Sequence, residues 1–454
     1  MAIIMEETAI MDNKRLSRRD LFLIGTMLFG LFFGAGNLIF PVFLGQSAGN
    51  HILPAVIGFL ISGVGLPLLA VAAIGMSRTD GVFGLAAKVG RPFAYAFTVI
   101  LYLGIGPLFA TPRLATISYE IGLDPFIPDR YQHVALAIFS LLFFGVAWLL
   151  ARKPGRIMFY IGKVLTPAFL VALALLLGFV IIFPMGGLHA APVAEYKHMA
   201  FSTGFSSGYM TMDALAGLAF GIIVVKAIQG LGVRRPQAIA MGTLKAGAIA
   251  AVLMALIYAV LAYMGVTALG EFDRASNGGI IIAEIARYYF GTLGSILTAI
   301  IVILACLKTG VGLITAFGDT FKELFPRENY QWLIAGAAGV PLILANIGLN
   351  QIIAISEPFL DFLYPIAIVL ILLGLLSRIF HDRQGVYVTT IAFVLIPAIL
   401  DGLNALPASL HQGLLANVLA LGQYLPGFSQ GLGWTVPALL GFVISWVIFG
   451  RRAA

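Results

Sequence analysis

The chain has 454 residues, 60% of them hydrophobic and only 10% charged, with a formal net charge of +7. Soluble domains carry about a quarter charged residues, so this composition excludes a soluble enzyme or binding module and indicates an integral membrane protein. The excess of Lys and Arg reads as positive-inside loops, not as a nucleic-acid footprint.

Residues 1–20 form a polar leader ending in Lys14, Arg15, Arg18 and Arg19, expected in the cytoplasm. Glu6 and Glu7 interrupt its short apolar run, unlike a cleaved signal peptide. Spans of about 20 residues are then predicted in order. Spans 1 and 2, at 21–45 and 52–76, lead to an inner loop with Arg78, Lys88 and Arg91. Span 3, at 93–118, exits to Glu120, Asp124, Asp129 and Arg130, and span 4, at 132–150, returns to Arg152, Lys153 and Arg156. Span 5, at 160–183, leads to an outer loop with His189, Glu195 and His198. Span 6, at 205–228, ends near Lys226, Arg234 and Arg235, and span 7, at 240–266, exits to a long outer loop with Glu271, Asp273 and Arg274. Span 8, at 289–317, is followed by an inner loop from Asp319 to Glu328. Span 9, at 332–346, is short, and span 10, at 359–376, ends at Arg378, His381 and Arg383. Span 11, at 387–404, precedes an outer segment, 407–430, that reads as a loop or an interfacial helix. Span 12, at 432–449, closes at Arg451 and Arg452. Basic residues alternate loop by loop as twelve spans with both termini inside require.

One stretch of span 1 organises the rest: Gly30-Leu31-Phe32-Phe33-Gly34-Ala35-Gly36-Asn37-Leu38-Ile39-Phe40-Pro41. Lipid cannot satisfy free backbone groups, yet Gly34, Gly36 and Pro41 weaken this helix and Asn37 adds a polar amide. Transporters use such breaks to offer carbonyls to a cation and amides to a carboxylate. The plainer reading is packing, since Gly30 and Gly34 form a small-xxx-small contact. Span 6 repeats the interruption at Phe205-Ser206-Ser207-Gly208-Tyr209-Met210-Thr211-Met212-Asp213-Ala214, five spans later, which favours a site. An odd number of spans inverts the second copy. The fold expected is therefore all-α, one transmembrane domain over 21–450, with inverted five-span repeats at 21–184 and 205–378 and two extra helices over 387–450.

Asp213 is the sharpest residue, because a carboxylate inside a span faces a cavity or a partner. It reads as an ion or substrate ligand, a brace for the unwound backbone, or a structural pair. In span 8, Thr309 offers a hydroxyl to a hard cation, or a back-bond to its own helix. Its neighbour Lys308 carries an ammonium able to displace such a cation, unless it points about 100° away to water or snorkels. Lys163, near the inner end of span 5, reads as snorkelling. Arg113 and Glu120 in span 3, with Glu357 and Asp361 at the start of span 10, read equally as an outer gate or as static pairs. No phosphate loop, hydrolase triad, metal-protease motif or voltage-sensing helix occurs, so no enzyme is expected.

These motifs resemble the bacterial branched-chain amino acid:cation symporter family. The resemblance rests on Phe29 to Pro41, on Gly106-Pro107-Leu108-Phe109-Ala110-Thr111-Pro112-Arg113, on Tyr209 to Asp213, and on Ala305-Cys306-Leu307 with Thr309 and Gly312-Leu313. It implies import of leucine, isoleucine and valine into the cell across the cytoplasmic membrane, usually with sodium, on a fold similar to LeuT, with no cofactor beyond that ion and no obligatory protein partner. It implies substrate contacts at Phe32, Gly34, Ala35, Gly36, Asn37, Thr211, Met212 and Asp213. It also implies a sodium site at the Gly30, Phe33 and Cys306 carbonyls and the Thr309 hydroxyl. Lys308 departs from the family pattern, where a neutral residue is usual. A proton-coupled carrier on the same fold is the alternative, and a channel or a non-transporting sensor are more distant ones.

Overall fold

The computed structural model describes residues 16–77, 79 and 81–450. Lys14, Arg15, Arg78, Arg451 and Arg452, all used above to orient the loops, lie outside the described residues. Among those described, every regular element is helical. Ten stretches are long and apolar enough to cross a membrane. The first, Ala35–Ser77, turns back at Gly49–His51 and so holds the end of span 1 and all of span 2. The shorter Thr435–Phe449 supplies the twelfth span.

Span 1 consists of two half-helices, Arg18–Phe32 and Ala35–Ala48, with Phe33 and Gly34 non-helical between them and Gly34 extended. Pro41 does not break the helix, contrary to expectation; it lies inside the second half. Lacking an N–H, it leaves the Asn37 carbonyl without its helical donor, one turn above the break. Span 6 is likewise split, into Ala194–Tyr209 and Asp213–Gly230, with Met212 in the left-handed region at φ 62°. Its outer half begins well before the expected start at 205, so Glu195 and His198 stand on a helix rather than in a loop.

The two broken spans pack together with spans 2 and 7; spans 5, 8 and 10 pack against these four, and spans 3, 4 and 9 pack on span 8. Small residues allow the close crossings. A Cβ on Gly58 of span 2 would lie 2.1 Å from the Phe201 carbonyl oxygen, and one on Gly204 would lie 2.1 Å from that of Ala55.

Three further boundaries differ from the sequence reading. Span 8 is one helix, Thr292–Leu324, which takes in Asp319 and Glu323. Span 10 starts at Leu349, so Glu357 and Asp361 lie turns inside it rather than at its start. The long outer loop contains a helix, Gly278–Phe290, capped by Asn277, whose side chain accepts from the Gly279 and Ile280 amides. That helix seats on span 1, where a Cβ on Gly278 would fall 1.9 Å from the Ile39 carbonyl oxygen. The outer segment 407–430 holds a nine-residue helix, Leu414–Gly422.

Candidate functional site

The two helix breaks meet at a polar knot. Asn37 accepts a hydrogen bond from the Gly34 amide at 2.9 Å, closing the start of the second half of span 1. Its Nδ2 donates to Asp213 Oδ2 at 2.6 Å and also contacts the Tyr258 hydroxyl. Tyr258 donates to the same Asp213 oxygen at 2.8 Å. Asp213 is the first residue of the inner half of span 6, and its amide donates to Thr211 Oγ1 at 3.3 Å. All three side chains are buried. A buried carboxylate needs donors, and here they come from spans 1 and 7 at once. Asp213 thereby ties the breaks of spans 1 and 6 to span 7.

Beside the knot lies a cavity of about 30 Å³, lined by Phe32, Gly34, Ala35, Gly36, Asn37, Thr211, Met212, Asp213 and Thr309 together with residues of span 3. The structure thus brings together all eight expected substrate residues. A water needs about 10–15 Å³, so this volume admits one or two waters and no leucine. Larger pockets flank it. One of about 440 Å³ opens outward past Phe40, Ser207 and Met210, and one of about 390 Å³ opens inward past Ile223, Lys226 and Asp319. The central cavity is therefore much smaller than the two beside it.

The four oxygens grouped for sodium do not form an open cation site. Lys308 is fully buried, which corrects the expectation that it faces water or snorkels. Its ammonium donates to the Gly30 carbonyl at 3.1 Å and contacts the Phe33 carbonyl. Thr309 turns the other way into the central cavity, and its hydroxyl, buried against Gly34, has no hydrogen-bond partner among the described residues. Adjacent helix positions diverge by about 100°, so the lysine and the threonine touch opposite sides of the same break.

The outer gate of charged pairs is not formed. Among the described residues no ion pair joins Arg113, Glu120, Glu357 and Asp361. Arg113 instead donates to the Met210 carbonyl at 3.0 Å, satisfying the backbone at the break in span 6, and stacks over Phe40. Glu120 stands two turns, about 10 Å, further along its helix and lines an outer pocket. Outer segments are joined by hydrogen bonds to backbone: Gln46 accepts from the Ala275 amide at 2.9 Å and donates to the Asp273 carbonyl at 3.2 Å, and Arg274 donates to the Ala191 carbonyl. On the inner side an ion pair does form. Lys226 lies 3.0 Å from Glu323 and 3.4 Å from Asp319. Lys163 is exposed at the inner end of span 5.

Tyr258 and Phe169 were not singled out from the sequence. Tyr258 is one of two tyrosines in span 7, with Tyr263, and so is a weak signal. Phe169 gives none, because only its neighbours reveal that it covers an ammonium.

Residues 17–452 match the model of the family described as branched-chain amino acid transport protein. The chain belongs to that family. A branched-chain amino acid permease of Lactobacillus delbrueckii subsp. lactis is 43% identical over 97% of this chain and all of its own length. The Bacillus subtilis permease is 42% identical over 96% of this chain and 98% of its own. A transport system 2 carrier protein of Pseudomonas aeruginosa is 41% identical over 94% and 95%. The resemblance drawn from the motifs thus holds, and the relatives are named permeases and carriers rather than enzymes. Two solved structures show the fold alone. A manganese transporter of Eremococcus coleocola is 14% identical, with a TM-score of 0.58 over 96% of this chain and 98% of that one. A nucleobase-cation-symport-1 family transporter is also 14% identical, with a TM-score of 0.56 over 95% and 94%. The chain is therefore a multi-pass member of that transport family, helical throughout its described residues and LeuT-like in fold.

Proposed function

We propose that this permease imports leucine, isoleucine and valine across a bacterial cytoplasmic membrane by cation-coupled alternating access, with both termini inside. The observation that carries the reading is the meeting of two broken spans at one small cavity. The amides opening the second halves of spans 1 and 6 offer positive ends to a carboxylate. The Asn37 carbonyl, freed by Pro41, is an acceptor for the substrate ammonium. Phe32 and Leu313 supply apolar wall for the branched side chain. One methylene in such a pocket is worth about 1–3 kcal/mol, so the three substrates compete within about 10–200-fold of one another. Uptake of labelled leucine into proteoliposomes tests this. Competition by isoleucine and valine but not by glutamate or lysine is expected, and absence of leucine uptake under any imposed ion gradient removes the substrate assignment.

The family resemblance implies sodium as the coupling ion. A second reading, a proton in its place, is favoured by Lys308, which holds two of the carbonyls sodium would use. A sodium gradient at fixed pH, set against a pH step without sodium, separates the two.

Alternating access requires the inner pocket to open between spans 6 and 8, where Lys226 meets Asp319 and Glu323. The pair is partly exposed, so its worth is about 1 kcal/mol or less. Lys226→Ala should raise the rate at which a cysteine placed at Ile223 reacts with a maleimide applied from inside, by up to about 5-fold. An unchanged rate would mean the pair does not hold the inner side closed.

A further inference from the structure

The side chain of Lys308 is the feature that the transport cycle above does not use. It crosses from span 8 to the break in span 1 and is fully buried there. A buried ammonium persists only where its hydration is replaced. Two backbone carbonyls, Gly30 and Phe33, accept from it. Three aromatic rings cover it, with centroids at 4.4 Å for Phe169, 5.5 Å for Phe33 and 5.7 Å for Phe29. Ring faces attract ammonium groups, whereas hard metal cations prefer a shell of oxygens. The ionisable groups whose charge acts on Lys308 are Cys306 on its own helix and Asp213 from span 6. On span 1, Gly30, Phe29 and Phe33 are neutral. On span 5, so are Phe169 and Thr166, the latter lying against Gly30.

We propose that the Lys308 ammonium is a built-in cation standing where sodium would bridge spans 1 and 8, so that this permease closes over its substrate without sodium. The tether brings the charge to the carbonyls at no loss of a free ion's translational freedom, so the bridge is permanently made. Sodium added from solution meets carbonyls already engaged and a like charge beside them.

The test uses the full-length purified chain in lipid nanodiscs, with sodium chloride compared against choline chloride at equal ionic strength. Melting is read without substrate and leucine binding is read separately. For the wild type, neither readout is expected to differ between the salts, with leucine affinity agreeing within about 2-fold. Thr309→Ala is expected to leave that indifference intact. Lys308→Ala frees the carbonyls; leucine affinity in choline is expected to fall by about 10-fold or more, and sodium is expected to restore part of it and to raise melting. The proposal is overturned by wild-type leucine binding that weakens about 10-fold in choline, or by a saturable effect of sodium on wild-type melting that Thr309→Ala removes. The wild-type and Thr309→Ala readings stand even if Lys308→Ala does not fold. The leucine arm rests on the substrate proposed above. If leucine binds in neither salt, that substrate fails, while the melting comparison still decides the role of Lys308.

Discussion

Asp213→Ala is expected to lower the initial rate of leucine uptake by about 100-fold, measured in proteoliposomes and normalised to inserted protein. The carboxylate receives the Asn37 amide and the Tyr258 hydroxyl on one oxygen. Hydrogen bonds to a charged group are worth about 1.5–3 kcal/mol each, and the two donors left behind are buried. Removing the acceptor therefore releases the Asn37 side chain, which also closes the helix break through the Gly34 amide. The break would lose its fixed shape, and with it the orientation of the amides facing the cavity. Tyr258→Phe removes one donor and leaves the Asn37 contact, so a loss nearer 10-fold is expected. Near-normal uptake by Asp213→Ala would show that the knot does not hold the site in shape. An Asp213→Ala phenotype no deeper than that of Tyr258→Phe would place the carboxylate's role in the Tyr258 bond alone.

Gly45→Ala and Gly265→Ala are expected to destabilise the fold far more than a methyl added where a helix meets open space. A Cβ on Gly45 would lie 1.9 Å from the Ala262 carbonyl oxygen, and one on Gly265 would lie 2.0 Å from that of Val42. The two positions face each other across the contact between the outer half of span 1 and span 7. What stands in the way is backbone on both sides, so no rotamer change relieves it and the helices must separate. Overpacking costs about 1–3 kcal/mol where side chains can yield, and these two sites belong at the upper end. Gly145→Ala serves as the control, because nothing lies within 4 Å of its added carbon. Thermal melting in detergent, read with the fraction recovered as monodisperse protein, checks the ordering. If Gly45→Ala and Gly145→Ala melt alike, this helix contact is looser than drawn.

The sequence was informative where one-dimensional chemistry is decisive. Spans follow from runs of apolar residues, because the bilayer tolerates little else. The breaks in spans 1 and 6 follow from Gly34, Asn37 and the Ser-Gly-rich run before Asp213, which put weak helix formers where backbone must be free. Pro41 signalled a break that does not form: it stands inside the second half of span 1, where it removes one helical hydrogen bond without ending the helix. The helix Gly278–Phe290 was also overlooked, although Asn277 before an apolar run is a start signal that was present. Glu195 and Glu357 were misplaced because polarity was taken to mean loop. Spans 6 and 10 begin before the apolar window, at Ala194 and Leu349, because a helix continues through polar residues wherever its backbone bonds are made.

The linear chain thus determined the membrane architecture, the inverted repeat of interruptions and the family, since these depend on which residues occur and at what spacing. The tertiary structure alone decided the partners. Asp213 acquired Tyr258 from a helix 45 residues away, and Arg113 was directed to the Met210 carbonyl rather than to Glu120. Lys308 was turned inward onto span 1 while Thr309 took the cavity. A side chain's direction is fixed by the helix it stands on, but whether that direction meets water, lipid, a ring face or a free carbonyl depends on how the other helices pack. That choice, made at Lys308, bears on which cation this permease requires.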